Sequence, residues 1–183
     1  LYGAVQFYLA AKSAGVKPIV GCELYCAPKS RFSKETKEDR SPFHLTVLAK
    51  NEIGYRNLLQ LCTLASVEGF YSRPRVDKEL LEKYHQGLLI LSGCPASEVS
   101  THLMEGREEE AEKTIRFFKD LFADDYYIEI QRHGIEIEKK LFPQLLDIAK
   151  KFTIPLVATN DSHYTERDDD LLPPGNNDVI ADL

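Results

Sequence analysis

Apolar and polar positions along the chain alternate between two periods, one typical of helices and one typical of strands. Apolar residues recur at helical spacing over residues 4–14, 51–64, 77–84, 97–105, 107–122 and 136–152. Short runs of β-branched, aliphatic and aromatic residues lie between these stretches, at 17–26, 43–50, 87–94, 126–133 and 155–161. Asn51 and Asp77 precede two of the helical stretches and are predicted to be their N-caps.

This order of elements predicts an α/β fold made of repeated βα units, and therefore a parallel sheet or a barrel. The nearly all-apolar run at 87–94 is typical of a strand that is covered on both faces, as in a parallel sheet. Residues 31–40 are charged and poor in apolar side chains, so an exposed loop is predicted there. No internal repeat and no interdomain linker is evident.

Length and composition agree with one globular domain. The chain has 183 residues, of which 43% are hydrophobic and 28% charged. These values exclude disordered, collagen-like and membrane proteins, and no apolar run approaches the ~18 residues that a spanning helix needs.

The chain begins Leu-Tyr-Gly-Ala, without an initiator Met or a signal peptide, which predicts a fragment. Residues 168–183 break the regular pattern and are predicted to be an atypical tail, disordered or aberrant.

Charge and cysteine content indicate the kind of partner and the redox compartment of the protein. Lys and Arg number 23 against 29 Asp and Glu, which gives a net charge of -6. Basic residues are scattered, apart from short clusters at 29–31 and 73–75, so the segment lacks the basic face of a domain that grips duplex DNA. The four cysteines form no CxxC pair, which argues against a disulfide scaffold and for a reduced, cytoplasmic protein.

Candidate chemistry lies where predicted strands end, because the functional loops of parallel α/β folds converge at the carboxyl ends of the strands. Glu23, Cys94, His133, and the pair Asp161 and His163 occupy such positions on four predicted strands. Carboxylate, thiolate and imidazole are ligands of borderline divalent metals such as zinc. In an extended backbone, Asp161 and His163 would point to the same side and reach one ion together. An ion with an open position would ionise water for attack on phosphorus.

Each of these residues also has a structural explanation. The Asp161 triplet is typical of a capped turn, and Cys94 of a small buried hydrophobe. Glu23 is either a partnered, half-buried carboxylate or a solvent-facing residue on an edge strand. His44 lies at the start of its strand rather than the end, so its position alone indicates a structural role. Only the joint placement of the ligand types favours a metal site.

Other candidate features have weaker support. His85 and His102 are predicted on helix surfaces, and His133 could simply end a strand. There is no Gly-x-Ser-x-Gly motif and no glycine-rich phosphate loop. The aromatic and basic stretch at 69–75 could stack nucleic acid bases, but packing is the more typical role of such a loop.

Five segments occur in an order that resembles a known family. They are Lys17-Pro-Ile-Val-Gly-Cys-Glu-Leu-Tyr, His44-Leu-Thr-Val-Leu-Ala-Lys-Asn with Gly54-Tyr-x-Asn-Leu, Gly69-Phe-Tyr-x-x-Pro-Arg-Val-Asp, Leu91-Ser-Gly-Cys and Ala158-Thr-Asn-Asp-Ser-His-Tyr. Together they resemble the N-terminal PHP (polymerase and histidinol phosphatase) domains of bacterial DNA polymerase III alpha subunits, over residues 1–167. The resemblance implies a distorted (β/α)7 barrel, incomplete at its N-terminus, with metals at the carboxyl face of the strands.

The resemblance also implies a set of site residues. Matched motif by motif, Glu23, His44, Cys94, Asp161 and His163 correspond to metal ligands, with Asp161 and His163 in the catalytic role, whereas His133 is not counted as a ligand. The expected cofactor is a divalent metal, zinc in the first place, with manganese or magnesium as alternatives. The implied activity is 3′–5′ exonuclease or phosphoesterase chemistry. The family's earliest ligands, a His-x-His and an Asp-His, would lie before Leu1 and are absent from this sequence.

The expected parent is a replicative DNA-directed DNA polymerase, a nucleotidyltransferase. Its expected partners are DNA, bound through the rest of the polymerase, and replisome subunits such as the sliding clamp and the proofreading subunit, with no membrane. Two alternatives stay open. One is a catalytically inactive structural scaffold within the polymerase, and the other is a stand-alone phosphatase of the same family.

Overall fold

The computed structural model describes residues 1–162, and the predicted tail at 168–183 lies outside them. The strands are β1 (Gly21–Cys26), β2 (Phe43–Ala49), β3 (Arg75–Val76), β4 (Leu88–Leu91), β5 (Tyr126–Ile130) and β6 (Leu156–Ala158). The helices are α1 (Ala4–Ser13), α2 (Glu52–Val67), α3 (Lys78–Tyr84), α4 (Glu98–Met104), α5 (Glu108–Phe122) and α6 (Glu136–Phe152). The six strands form one sheet in the order β3-β1-β2-β4-β5-β6.

The predicted helices are present and begin where the sequence indicates. The side chain of Asn51 accepts a hydrogen bond from the backbone N–H of Gly54 at the start of α2. Asp77 does the same for Leu80 at the start of α3. These contacts confirm both predicted N-caps, because a capping oxygen satisfies an N–H group that the first helical turn leaves without a partner. The α/β class is likewise confirmed.

The expectation of a parallel sheet is wrong in one essential respect. β2 runs antiparallel to both of its neighbours, β1 and β4, whereas β1 pairs with β3, β4 with β5 and β5 with β6 in parallel. The reason lies in the connection between β1 and β2, at residues 27–42, which contains no α-helix to carry the chain back to the other end of the sheet. The sheet is therefore mixed.

The two faces of the sheet differ in character. Leu24, Leu45 and Ile128 are buried in one apolar cluster, which also includes large side chains from α2, α3, α5 and α6. Burial of each such side chain stabilises the fold by roughly 1.5–3 kcal/mol. Since successive strand residues point to opposite faces, the alternate positions place Glu23 and Glu129 on the other side. No helix within residues 1–162 is long and apolar enough to cross a membrane.

Residues 31–40 differ from the predicted exposed loop, because Arg31 and Asp39 are both buried. Charged side chains are tolerated here because each has close partners. The Arg31 guanidinium pairs with Asp77 at 2.9 Å and with Glu68 at 2.7 Å. Asp39 accepts hydrogen bonds from the backbone N–H groups at positions 35 and 36.

Arg75 holds this segment against the rest of the fold. Its side chain is fully buried, and its guanidinium donates four hydrogen bonds to backbone carbonyls. The acceptors are the carbonyls of Gly69 (3.0 Å), Asp39 (2.7 Å), Arg31 (2.9 Å) and Ser33 (3.0 Å). Within the basic clusters at 29–31 and 73–75, Arg31 and Arg75 therefore have structural roles.

We expect Arg75→Met to lower the free energy of unfolding by at least about 3 kcal/mol, since each buried acceptor left without a donor costs roughly 1–3 kcal/mol. Arg73→Met is the matched control. Arg73 lies two residues away on the surface and contacts Tyr25 through one hydrogen bond and its ring, so a loss below about 1 kcal/mol is expected. Urea denaturation measures both variants, and equal losses would contradict the anchoring role of Arg75.

Candidate metal centre

Three of the five predicted ligands converge in the structure. One ligand atom from each of Glu23, His44 and Cys94 lies within 4.8 Å of the other two. Glu23 lies on β1 and His44 on β2, and Cys94 follows β4. Because β2 is reversed, its first residues lie beside the last residues of β1, where His44 is opposite Tyr25 in the register. His44 lies at the start of its strand, which in a parallel sheet would indicate a structural role. In the antiparallel pairing the same position places His44 in the site.

His44 is the central member of this group. Its Nδ1 lies 3.0 Å from Oε1 of Glu23 and 3.4 Å from Sγ of Cys94. The side chains of His44 and Glu23 are 30% and 33% exposed, so the group is half-buried and open to solvent on one side. The Tyr25 ring stands edge-on to the imidazole, with centroids 5.1 Å apart, and fixes its orientation. Glu23 is accordingly a partnered carboxylate.

The turn after β4 brings Cys94 to the histidine. Gly93 has a φ of +92°, a left-handed conformation that favours glycine. A Cβ at this position would lie 2.7 Å from the backbone oxygen of His44, so a larger residue would push the turn away from β2. The backbone N–H of His44 also donates to the carbonyl of Ala96 at 3.2 Å, which closes the turn over the strand.

The electrostatics of the group favour a charged imidazole in the metal-free protein. Hydrogen bonds with the Cys94 sulfur and then with the Glu23 carboxylate raise the pKa of His44 to about 10, against the opposing effect of burial. A metal ion would bind in place of that shared proton, because a histidine ligand must be neutral.

The donor set fits a zinc ion. Nitrogen, sulfur and carboxylate oxygen are the ligand atoms that zinc takes in proteins, at roughly 2.0–2.3 Å. Two ligands of one tetrahedral ion are then about 3.3–3.8 Å apart. The observed separations of 3.0 and 3.4 Å need only a small outward shift to admit the ion.

Asp161 lies three residues beyond β6 and is exposed, outside the three-residue group that the described residues form. Its φ is +46°, in the left-handed region that aspartate tolerates better than most residues. The extended backbone assumed for residues 161–163 is therefore not found at Asp161. His163 lies outside the described residues.

Within residues 1–162, His85, His102 and His133 have partners or packing inside the protein. Nδ1 of His133 lies 2.6 Å from Oε1 of Glu138 and its Nε2 lies 2.7 Å from the carbonyl of Asn160, and these contacts raise its pKa. His85 interacts with the carbonyl of Glu82 near the end of α3. The surface position predicted for His102 is wrong: the residue is buried, and desolvation lowers its pKa.

The sequence did not predict the buried polar residues next to this group. Glu129 is 5% exposed and is hydrogen-bonded to residues on three other segments of the sheet. The one local signal was a carboxylate between Ile128 and Ile130 in an apolar strand. Its partners are far away in sequence, so no local pattern identifies them.

The chain is thus an α/β domain with a candidate metal centre, whose nitrogen, oxygen and sulfur ligands are half-buried and come from the interior strands β1, β2 and β4 of a mixed sheet or the turn after them. Comparison with known proteins agrees: a family model described as "PHP domain" matches residues 1–133. The chain belongs to the PHP domain family.

Curated relatives are similar over most of this chain. DNA polymerase III subunit alpha of Treponema pallidum (strain Nichols) is 48% identical over 92% of the chain, and that of Borreliella burgdorferi is 44% identical over 92%. The Thermus aquaticus subunit is 43% identical, again over 92% of the chain. The chain spans only 14–15% of the length of these relatives.

In the metal-free protein we expect the imidazole of His44 to titrate far above its usual range near 6.5, and Cys94→Ser or Glu23→Gln to shift its pKa downward. The raised folded-state pKa stabilises the fold fully below about pH 6.5, and that stability is lost as the pH rises through about 10. NMR titration of the ring protons measures the shift. A His44 pKa near 6.5 in the unsubstituted protein would contradict the geometry described.

Proposed function

We propose that this chain is the PHP-domain part of a replicative DNA-directed DNA polymerase, the alpha subunit of a DNA polymerase III, and that its metal centre hydrolyses phosphodiester bonds. The observation that supports the proposed hydrolytic activity is the convergence of Glu23, His44 and Cys94 on one point. The similarity to alpha subunits supports the identity of the parent protein. In this proposal the sheet belongs to a distorted (β/α)7 barrel, and closure of the barrel carries the end of β6 towards β1.

Each candidate ligand has a stated role. Glu23, His44 and Cys94 hold the ion through oxygen, nitrogen and sulfur, and Asp161 and His163 complete the site from the end of β6. A bound zinc would supply Lewis acidity and lower the pKa of a bound water towards neutrality. Zinc is the proposed metal because a thiolate ligand favours it over magnesium and manganese.

The proposed substrate is the 3′ end of a DNA strand, which makes the activity a 3′–5′ exonuclease. The net charge of -6 disfavours binding to DNA, and Arg31 and Arg75, one from each of the two basic clusters, are buried in structural contacts. In this proposal the remaining domains of the polymerase therefore bind the DNA duplex. In this role the chain would act in the cytoplasm, alongside the sliding clamp and the proofreading subunit.

One observation favours a second function, that of a structural scaffold within the polymerase. The hydrogen bonds of His44 with Glu23 and Cys94 are contacts between protein groups that hold the three side chains together. A site that is held by protein contacts alone could persist after its catalytic role was lost. In that case substitutions in the group would affect assembly rather than hydrolysis.

The two functions are separated by digestion of a 3′-mismatched primer annealed to a template, with the full-length subunit that contains this segment. We expect Glu23→Gln and Asp161→Asn to reduce the digestion rate and the zinc content, the rate by about 100-fold or more. Loss of residues that merely support metal ligands already costs roughly 10–100-fold. Glu52→Gln is the control, because this carboxylate is exposed on α2, where it pairs with Arg56 one turn further along the helix.

Unchanged digestion in both site variants would contradict the nuclease and favour the scaffold. Hydrolysis of small phosphomonoesters without primer digestion would instead indicate a phosphatase. Polymerase activity, measured on the same preparations, should be equal in Glu52→Gln and the unsubstituted protein.

A further inference from the structure

Glu129 carries a buried carboxylate that has no role in the metal centre described above. It lies on β5, which carries none of the candidate ligands, and it is only 5% exposed. Within residues 1–162 it forms no ion pair with a lysine, arginine or histidine. Burying a carboxylate is costly unless hydrogen bonds replace its lost hydration, so the neighbours of Glu129 need an explanation.

Hydrogen bonds join Glu129 to three other strand segments. Thr46 on β2 donates its hydroxyl to Oε2 at 3.2 Å, and Thr159 after β6 donates its hydroxyl to Oε1 at 2.5 Å. The backbone N–H of Glu129 donates to the hydroxyl of Ser92, which follows β4, at 2.9 Å. Gln131 adds a contact from its amide to Oε1 at 3.3 Å.

Each of the three partners lies two residues from a candidate ligand. Thr46 follows His44 by two residues on the same strand, so both side chains share one face of the sheet. Ser92 precedes Cys94 by two residues, and Thr159 precedes Asp161 by two. A single carboxylate-bearing residue is thus bonded to all three segments that carry these ligands, although the partners are 83, 37 and 30 residues away in sequence.

We propose that Glu129 is a positioning residue of the metal centre: its carboxylate holds the segments carrying His44 and Asp161 at the spacing that one metal site requires, while its backbone N–H bonds to the segment carrying Cys94. This inference rests on the proposed metal-binding function. Removal of the Glu129 carboxylate frees the hydroxyls of Thr46 and Thr159 and lets the end of β6 move relative to β2. The substitution leaves the ligand residues themselves unchanged, but the distances between them are no longer fixed.

Cobalt binding tests this role without depending on catalysis. The full-length subunit is stripped of metal and titrated with Co²⁺, whose visible absorption reports tetrahedral sites and whose near-ultraviolet band reports a bound thiolate. We expect Glu129→Ala to raise the Co²⁺ dissociation constant about 10–100-fold, the range typical when a residue supporting metal ligands is lost. Thr159→Val, which removes one hydroxyl at nearly constant volume, should raise it about 3–10-fold.

Glu129→Gln is the conservative variant, because its amide can still bond to both hydroxyls once these reorient, so it should recover most of the affinity lost in Glu129→Ala. Asp77→Asn is the matched control for destabilisation: Asp77 is also a buried, hydrogen-bonded carboxylate, but it caps α3 and pairs with Arg31. It should lower the melting temperature and leave the Co²⁺ dissociation constant unchanged.

Glu23→Gln separates failure of the inference from failure of the proposed function. If Glu23→Gln weakens Co²⁺ binding while Glu129→Ala and Thr159→Val bind as the unsubstituted protein does, the positioning role is overturned and the metal centre stands. An equal loss in Asp77→Asn and Glu129→Ala would also overturn it, since general destabilisation would then explain both. If Glu23→Gln binds Co²⁺ normally, the metal centre fails and the role of Glu129 fails with it.

Discussion

The reversed direction of β2 is the constraint on which the candidate centre depends. β2 has seven residues, so its two ends are about 20 Å apart at ~3.3 Å per residue. If the strand ran parallel to β4, His44 would lie beside the start of β4, at the opposite end of that strand from Cys94. The antiparallel register instead places His44 opposite Tyr25, within bonding distance of both ligands.

The division of the sheet into an apolar and a polar face follows from the same alternation of side chains. Leu45 and Val47 are buried in the core, while His44 and Thr46 occupy the other face of β2. That second face holds buried polar groups, which are stable only when their hydrogen bonds are made. Glu129 meets this requirement through neighbours on β2 and just after β4 and β6, so the polar face is a connected network rather than a set of isolated groups.

Much of the fold was predictable from local patterns. The helical period of α6 and the caps at Asn51 and Asp77 are local signals, and so is the placement of Cys94 just after a strand, whereas Glu23 lies inside β1 rather than at its end. Strand direction was not predictable from periodicity, which is the same for both directions. The missing helix between β1 and β2 was the available indication. Burial of Arg31 depends on its ion pair with Asp77, 46 residues away. No pattern within a short stretch of sequence indicates a pair of residues so far apart.

The most direct test of the central claim, that Glu23, His44 and Cys94 form a metal centre, is X-ray absorption spectroscopy at the zinc edge on the zinc-loaded full-length subunit. The predicted spectrum contains one sulfur ligand at about 2.3 Å together with nitrogen and oxygen ligands at about 2.0–2.1 Å. The sulfur contribution should disappear in Cys94→Ser. Zinc bound by nitrogen and oxygen alone, or a sulfur signal that persists in Cys94→Ser, would contradict the claim.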